Sequence, residues 1–200
     1  MPDNPNAPAA AFWQADAVID WLMDEGRFSD DLDALVQRLG ARLLAAGAPV
    51  WRVLLSVRTI HPLIAALTSI WERESARVQP VESTHGFEGR AGYEGNPLST
   101  IVQTRSPFRK RLGEGLSGDD HAVLHDLRAR GATDYYGLPV RLTRERLATL
   151  VFVTDAPAGF SDRDIAAFDR IAAVMGPIVE VFRLRQLSLA VAEAYLGERT

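Results

Sequence analysis

Residues 50–59 read VWRVLLSVRT, and their period is two. Trp51, Val53, Leu55 and Val57 alternate with Arg52, Leu54, Ser56 and Arg58. That pattern predicts a β-strand with one strongly apolar face. Upstream the period is helical. DAVIDWLMDE (16–25) sets Val18, Trp21 and Leu22 on one face, and Gly26 stops it. A second helix is predicted over 31–46, with Leu32, Leu35, Val36, Leu39 and Leu43 as its stripe. Gly47 ends it and Pro49 prevents its extension.

Downstream, TSIWERES (68–75) and ARVQPVEST (76–84) are candidate strands, and Pro80 puts the second nearer a sheet edge. The glycine-bearing loop 85–96 lacks the strand, helix and Lys-Ser/Thr context of a phosphate-binding loop. PLSTIVQT (97–104) is a short helix begun by proline. PFRKRL (107–112) is a short basic strand. A helix over 118–130, capped by Ser117, carries Val123, Leu124 and Leu127. TDYYGLPVRL (133–142) and LATLVFVTD (147–155) form a hairpin. Its second arm is apolar on both faces, as a central strand would be. Ser161 then caps a long helix that Pro177 should kink or briefly break.

This order predicts an α+β fold: a mainly antiparallel sheet of about six strands covered by helices, with a long C-terminal helix. A doubly wound sheet fits less well, because the strands follow one another without crossover helices. The chain is expected to divide into a disordered leader (1–15), a main domain (16–160) and a terminal helix with the start of a linker (161–200). The leader holds Pro2, Pro5 and Pro8 and lacks the basic region of a signal peptide.

The chain has 200 residues, a hydrophobic share of 47% and a net charge of −4. That share can build a core. The acidic balance argues against nucleic acid as a partner. The absence of cysteine excludes disulfides, thiolate chemistry and cysteine zinc sites. It is in keeping with a cytoplasmic protein. No apolar run is long enough to span a membrane.

Candidate chemistry is sparse. His61 follows the first strand and could contact a ligand, or simply cap a loop. Trp71, Arg73, Asp134, Tyr135 and Tyr136 could line a small-molecule pocket between sheet and helices, and would equally suit a core and its rim. His121 and His125 lie four apart in HAVLH, which lacks the glutamate of a catalytic zinc helix. Arg105, Arg109, Lys110 and Arg111 form a basic cluster that Arg128 and Arg130 could extend. A solvated edge strand explains it more simply than an anionic ligand. No catalytic set and no metal cluster is expected in this chain.

In the terminal helix Phe168, Ala172, Met175, Val179, Phe182, Gln186 and Leu189 follow a 4-3 spacing. Such a heptad seam predicts a homodimer, with an amphipathic terminal helix folded back on its own domain as the alternative. Ile171, Val174, Ile178 and Val181 make a second stripe that widens the apolar face as far as 181.

Five stretches carry a family resemblance: VIDWLMDEG (18–26), APVWRVLLSVRTIHPL (48–63), RARGATDYYGLPV (128–140), VFVTDAPAGFSDRDI (151–165) and LAVAEAYLGE (189–198). Its sharpest pieces are Trp51-Arg52, His61-Pro62, Thr133-Asp134-Tyr135 and Tyr195-Leu196-Gly197. Together they resemble the N-terminal, GAF-like regulatory region of bacterial class III adenylate/guanylate cyclases. The resemblance implies a sensory and dimerisation module whose last helix leads into a catalytic domain outside this chain. That domain would use ATP or GTP with Mg or Mn. The chain itself would hold no cofactor and no catalytic residue. An NKxD-like segment and a cysteine, which cyclic-nucleotide and bilin ligands would respectively imply, are both missing. A ligand-free dimerisation module and a stand-alone small-molecule-binding protein are the alternative expectations.

Overall fold

A computed structural model describes residues 13–58, 64–84, 95–143 and 145–196. His61 and His85 lie outside these residues. The elements run α1 (Ala15–Asp24), a 3-10 turn (Gly26–Phe28), α2 (Leu32–Ala45), β1 (Arg52–Arg58), β2 (Ile64–Glu72), β3 (Arg77–Thr84), α3 (Pro97–Thr104), β4 (Phe108–Arg111), α4 (Ala122–Ala129), β5 (Asp134–Arg141), β6 (Leu147–Thr154) and α5 (Asp162–Leu196). The six strands form one sheet in the order β3-β2-β1-β6-β5-β4. Every pairing is antiparallel. The fold is α+β, as the alternating and helical periods predict. No helix among the described residues is long and apolar enough to cross a membrane.

Alternation puts the two faces of the sheet to different uses. Val53, Leu55 and Val57 of β1 join Leu150 and Phe152 of β6 in a large core under α1, α2 and α5. The opposite face carries a smaller core in which Leu124 and Leu127 of α4 pack near Tyr135, Val151 and Val153. β6 is buried along both faces because Leu150 and Phe152 enter the large core while Val151 and Val153 enter the smaller one. β3, with Pro80, is one edge and the basic β4 is the other.

Three local features differ from the sequence expectation. Trp51 does not share the apolar face of β1. The chain bends there, β1 begins at Arg52, and the indole joins the smaller core. Ser117 does not cap α4. Its amide and hydroxyl bind the Asp120 carboxylate, and His121 becomes the cap, its Nδ1 accepting from Val123 N–H at 3.1 Å. Pro177 does not break α5, which stays helical across it. The chain pays for this with a missing amide, and packing on both sides holds the turn.

α5 starts as predicted. Ser161 Oγ accepts from Asp164 N–H at 3.2 Å while Asp164 Oδ2 accepts from Ser161 N–H at 2.8 Å. This reciprocal cap satisfies two donors that the first turn leaves unpaired. Phe168 then stacks on Phe152 at 4.0 Å and meets Phe160 edge-on at 5.0 Å. Close approach fixes α2 and α5 at glycine positions. A Cβ on Gly40 would fall 2.2 Å from the Trp71 ring, and one on Gly176 would fall 2.3 Å from the Arg141 carbonyl oxygen.

Gly40→Ala is therefore expected to destabilise the domain although alanine is the better helix former. Trp71 is 1% exposed and has nowhere to retreat. Overpacking of this kind costs about 1–3 kcal/mol, against a propensity gain of about 1 kcal/mol. Urea unfolding should show a lower midpoint. An unchanged or higher midpoint would mean that α2 can ride up on the ring without loss.

Candidate functional site

The face of the sheet beneath α3 and α4 gathers polar chemistry on an apolar floor. Register makes it. Arg52, Leu54 and Ser56 on β1 stand opposite Glu72, Ile70 and Thr68 on β2, and opposite Val153, Val151 and Thr149 on β6. Residues paired directly across an antiparallel ladder share a face. Ser56 and Thr68 hydroxyls lie 2.8 Å apart and hydrogen-bond. Leu54 packs beside the smaller core, in which Tyr135 is buried.

Charge concentrates at one end of this face. Glu72 accepts from Arg52 Nη1 at 2.9 Å and from both terminal nitrogens of Arg130, at 2.9 and 2.8 Å. Arg130 follows α4 and lies 4.7 Å from the Trp51 ring centroid. The indole N–H of Trp51 donates to Glu74 at 3.0 Å. Two arginines thus share one carboxylate whose side chain is 12% exposed. The Arg130 hydrogen bond, above all, holds the Glu72 carboxyl below its ordinary range, and the Arg52 charge adds to this. Burial pulls the Arg52 guanidinium down, and Glu72 opposes the shift. Burial pushes the Tyr135 hydroxyl up, so it is neutral at physiological pH. The guanidinium groups beside Leu54 and Ile70 are paired with Glu72, and an anionic group on an apolar body would have to compete with that carboxylate for them.

The sequence-predicted residues are distributed more widely. Trp71 faces α2 within the large core, its indole N–H buried without a hydrogen-bond partner among the described residues. Arg73, in the turn after β2, pairs with Asp155. Asp134 opens β5 and is fully buried, accepting from Arg109 Nη2 at 2.7 Å and from Phe160 N–H at 3.0 Å. Tyr136 faces α5 and donates its hydroxyl to Asp169 at 2.6 Å. Tyr135, one residue earlier, points to the opposite face with Arg52 nearby. The structure therefore brings Tyr135 to the α3–α4 face and sets Trp71 and Tyr136 on the other.

Arg52, noted in sequence only in the alternating strand and the family resemblance, and Glu72 were not among the expected ligand-binding residues. The available signal was their place on the polar side of period-two strands, but only the register pairs them with each other and with Arg130. The basic cluster of β4 is dispersed by ion pairs: Arg109 with Asp134, Lys110 with Asp120 and Arg111 with Glu114. No group of three or more potential metal ligands occurs among the described residues.

The fold is similar to several solved structures. The phycocyanobilin-bound GAF domain of a cyanobacterial phytochrome matches with a TM-score of 0.59 at 14% identity, over 87% of this chain and 98% of that one. The GAF domain of a phosphoenolpyruvate-protein phosphotransferase from Coxiella burnetii matches with a TM-score of 0.57 at 15% identity, over 88% and 96%. The fRMsr of Staphylococcus aureus in its reduced form matches at 0.51 and 10% identity, over 84% and 96%. No protein-family model matches the sequence, and no curated protein matches it. The architecture is that of a GAF domain.

Proposed function

We propose that this GAF-fold chain is a sensory and dimerisation module whose output element is α5. The observation that carries this reading is the pair of apolar faces on α5. The inward face is spent on the chain's own core: Phe168, Ala172, Met175, Val179 and Phe182 are all buried there. The anticipated seam therefore belongs to the domain itself up to Phe182, and its next apolar member, Leu189, is 56% exposed.

A second heptad runs through Val174, which packs partly against the large core, and then along the outward face through Pro177, Val181, Leu184, Ser188 and Val191. Of these, Val181, Leu184 and Val191 are each 46% exposed. Val174, Val181 and Ser188 take one heptad position and Pro177, Leu184 and Val191 the other, so Val181 with Leu184 is the pair at the centre of the repeat. A β-branched residue at the first position and leucine at the second favours two parallel strands. A second copy of this chain is the partner that such a repeat fits. Beyond Arg183 the helix continues through residues 184–196, roughly 20 Å at a rise of about 1.5 Å per residue. A dimer along it would transmit a change in sheet packing into the relative placement of two downstream domains.

The sensed compound is a small molecule held on the α3–α4 face, where Arg52 and Tyr135 meet Leu54 and Ile70. The downstream domain is a class III nucleotide cyclase catalytic domain, acting on ATP or GTP with Mg or Mn. Support for that assignment is the resemblance of the five sequence segments. Joining the chain to such a catalytic domain and measuring cyclic-nucleotide synthesis tests it. Activity should depend on the outward heptad and change by several-fold in Val181→Glu/Leu184→Glu. Equal synthesis by parent and variant would remove α5 as the output element.

A further inference from the structure

A cleft with a cavity volume of about 330 Å³ opens where the end of β1, the end of α3, the β5–β6 turn and α5 come together. Four arginines line it: Arg58, Arg105, Arg146 and Arg183, with Glu145 as the acidic residue among them. They come from four separate elements, so no local basic run announces the site. They converge in a chain whose net charge is −4. It lies at the rim of the sheet and shares no residue with the Arg52–Glu72–Arg130 cluster.

Arg183 is the most informative of the four. It is 9% exposed and therefore removed from bulk solvent. Its Nε and Nη2 donate to the Glu180 carboxylate at 2.9 and 2.6 Å, which fixes the plane of the guanidinium. Its Nη1 is buried and has no hydrogen-bond partner among the described residues. A buried guanidinium nitrogen without an acceptor is costly, so an acceptor brought to it would be strongly favoured. Glu180 is held below the ordinary carboxylate range, first by its hydrogen bonds to Arg183, with the charge of Arg146 adding to the effect. Arg146 and Arg183 thus act on one small region. Arg105 Nη2 is tied to the Glu145 carbonyl oxygen at 2.6 Å, which joins α3 to the turn.

Guanidinium forks match the paired oxygens of phosphate and carboxylate groups. The volume falls within the range of small-molecule sites, and Val102 and Leu147 supply an apolar wall for the rest of a ligand. We propose that this rim cleft binds a small, multiply charged organic oxyanion, a phosphate ester or a polycarboxylate, with Arg146 and Arg183 as its principal contacts. The proposal is independent of the dimer reading of α5, because it concerns binding to a single chain.

Calorimetric titration of the chain with inorganic pyrophosphate and, separately, with citrate tests it, with sodium chloride at matched ionic strength as the control. Saturable one-to-one binding of either probe is expected. Tighter pyrophosphate binding assigns the phosphate class, and tighter citrate binding the carboxylate class. Arg146→Ala, at an exposed turn, should weaken binding about tenfold, the loss of one charge-assisted contact. Arg183→Met should do the same, with circular dichroism to confirm folding; if it unfolds, Arg146→Ala alone decides. Absence of saturable heat with both probes overturns the proposal. So does heat that merely follows ionic strength, or affinity unchanged in the folded variants.

Discussion

Asp134→Ala is expected to lower the unfolding free energy by about 3–5 kcal/mol, the cost of removing one partner from a buried ion pair. Asp134 is 0% exposed and joins three parts of the fold. Its carboxylate accepts from Arg109 on β4 and from the Phe160 amide ahead of α5. Arg109 Nη2 also donates to the Phe160 carbonyl at 2.5 Å, so the pair clamps that residue from both sides. Phe160 in turn holds Phe168 edge-on at 5.0 Å. Losing the carboxylate frees the entry to α5 and leaves Arg109 facing a site that no longer carries charge. Asp134→Asn keeps an acceptor of similar shape and should lose less, about 1–3 kcal/mol for a weakened charged hydrogen bond. Urea unfolding measures both. A parental midpoint for Asp134→Ala would mean that the carboxylate is no structural clamp, and would leave it the ligand contact that the sequence suggested.

Val181→Glu/Leu184→Glu is expected to abolish self-association while leaving the domain folded. Both side chains are 46% exposed, so the substitutions cost the isolated chain little. In a parallel dimer the same heptad positions face one another, and four carboxylates would crowd one seam. Association should weaken by at least a hundredfold, about 3 kcal/mol. Phe182→Glu is the contrasting variant. Phe182 is 4% exposed and belongs to the large core. Its replacement should lower thermal stability by several kcal/mol through burial of an unpaired charge. Sedimentation equilibrium and thermal unfolding separate the two effects. If the parent chain is a monomer, or the double variant still dimerises as tightly, the outward heptad is not the seam.

The burial of α5 shows why its heptad spacing does not by itself identify a seam. Phe168 through Phe182 has the spacing of a coiled coil, and the same spacing suits any helix laid on a sheet. Periodicity says that a face will be buried and does not name what buries it. The sheet takes that face, and the outward one is left. Tyr135 and Tyr136 teach a related lesson. Adjacent strand residues point to opposite faces, so two neighbouring aromatics cannot line one pocket from the same sheet surface. The His121 cap was hidden because it depends on a local side-chain hydrogen bond that propensity does not rank first. The placement of Trp51 was hidden because its bonds run to Val153, Arg73 and Glu74, distant in sequence.

Sequence by itself determined the elements, their order and the α+β class, because hydrophobic period is a local property of the chain. It also marked β3 and β4 as edges through Pro80 and the β4 basic residues, and Ser161 as the start of α5. Tertiary structure alone decided which polar residues meet. Arg52, Glu72 and Arg130 are joined by strand register and helix placement. Arg58, Arg105, Arg146 and Arg183 come together at one rim although each stands on a different element. Their meeting depends on non-local strand pairing and on the crossing of α5 over β5 at Gly176, distances that no stretch of sequence encodes.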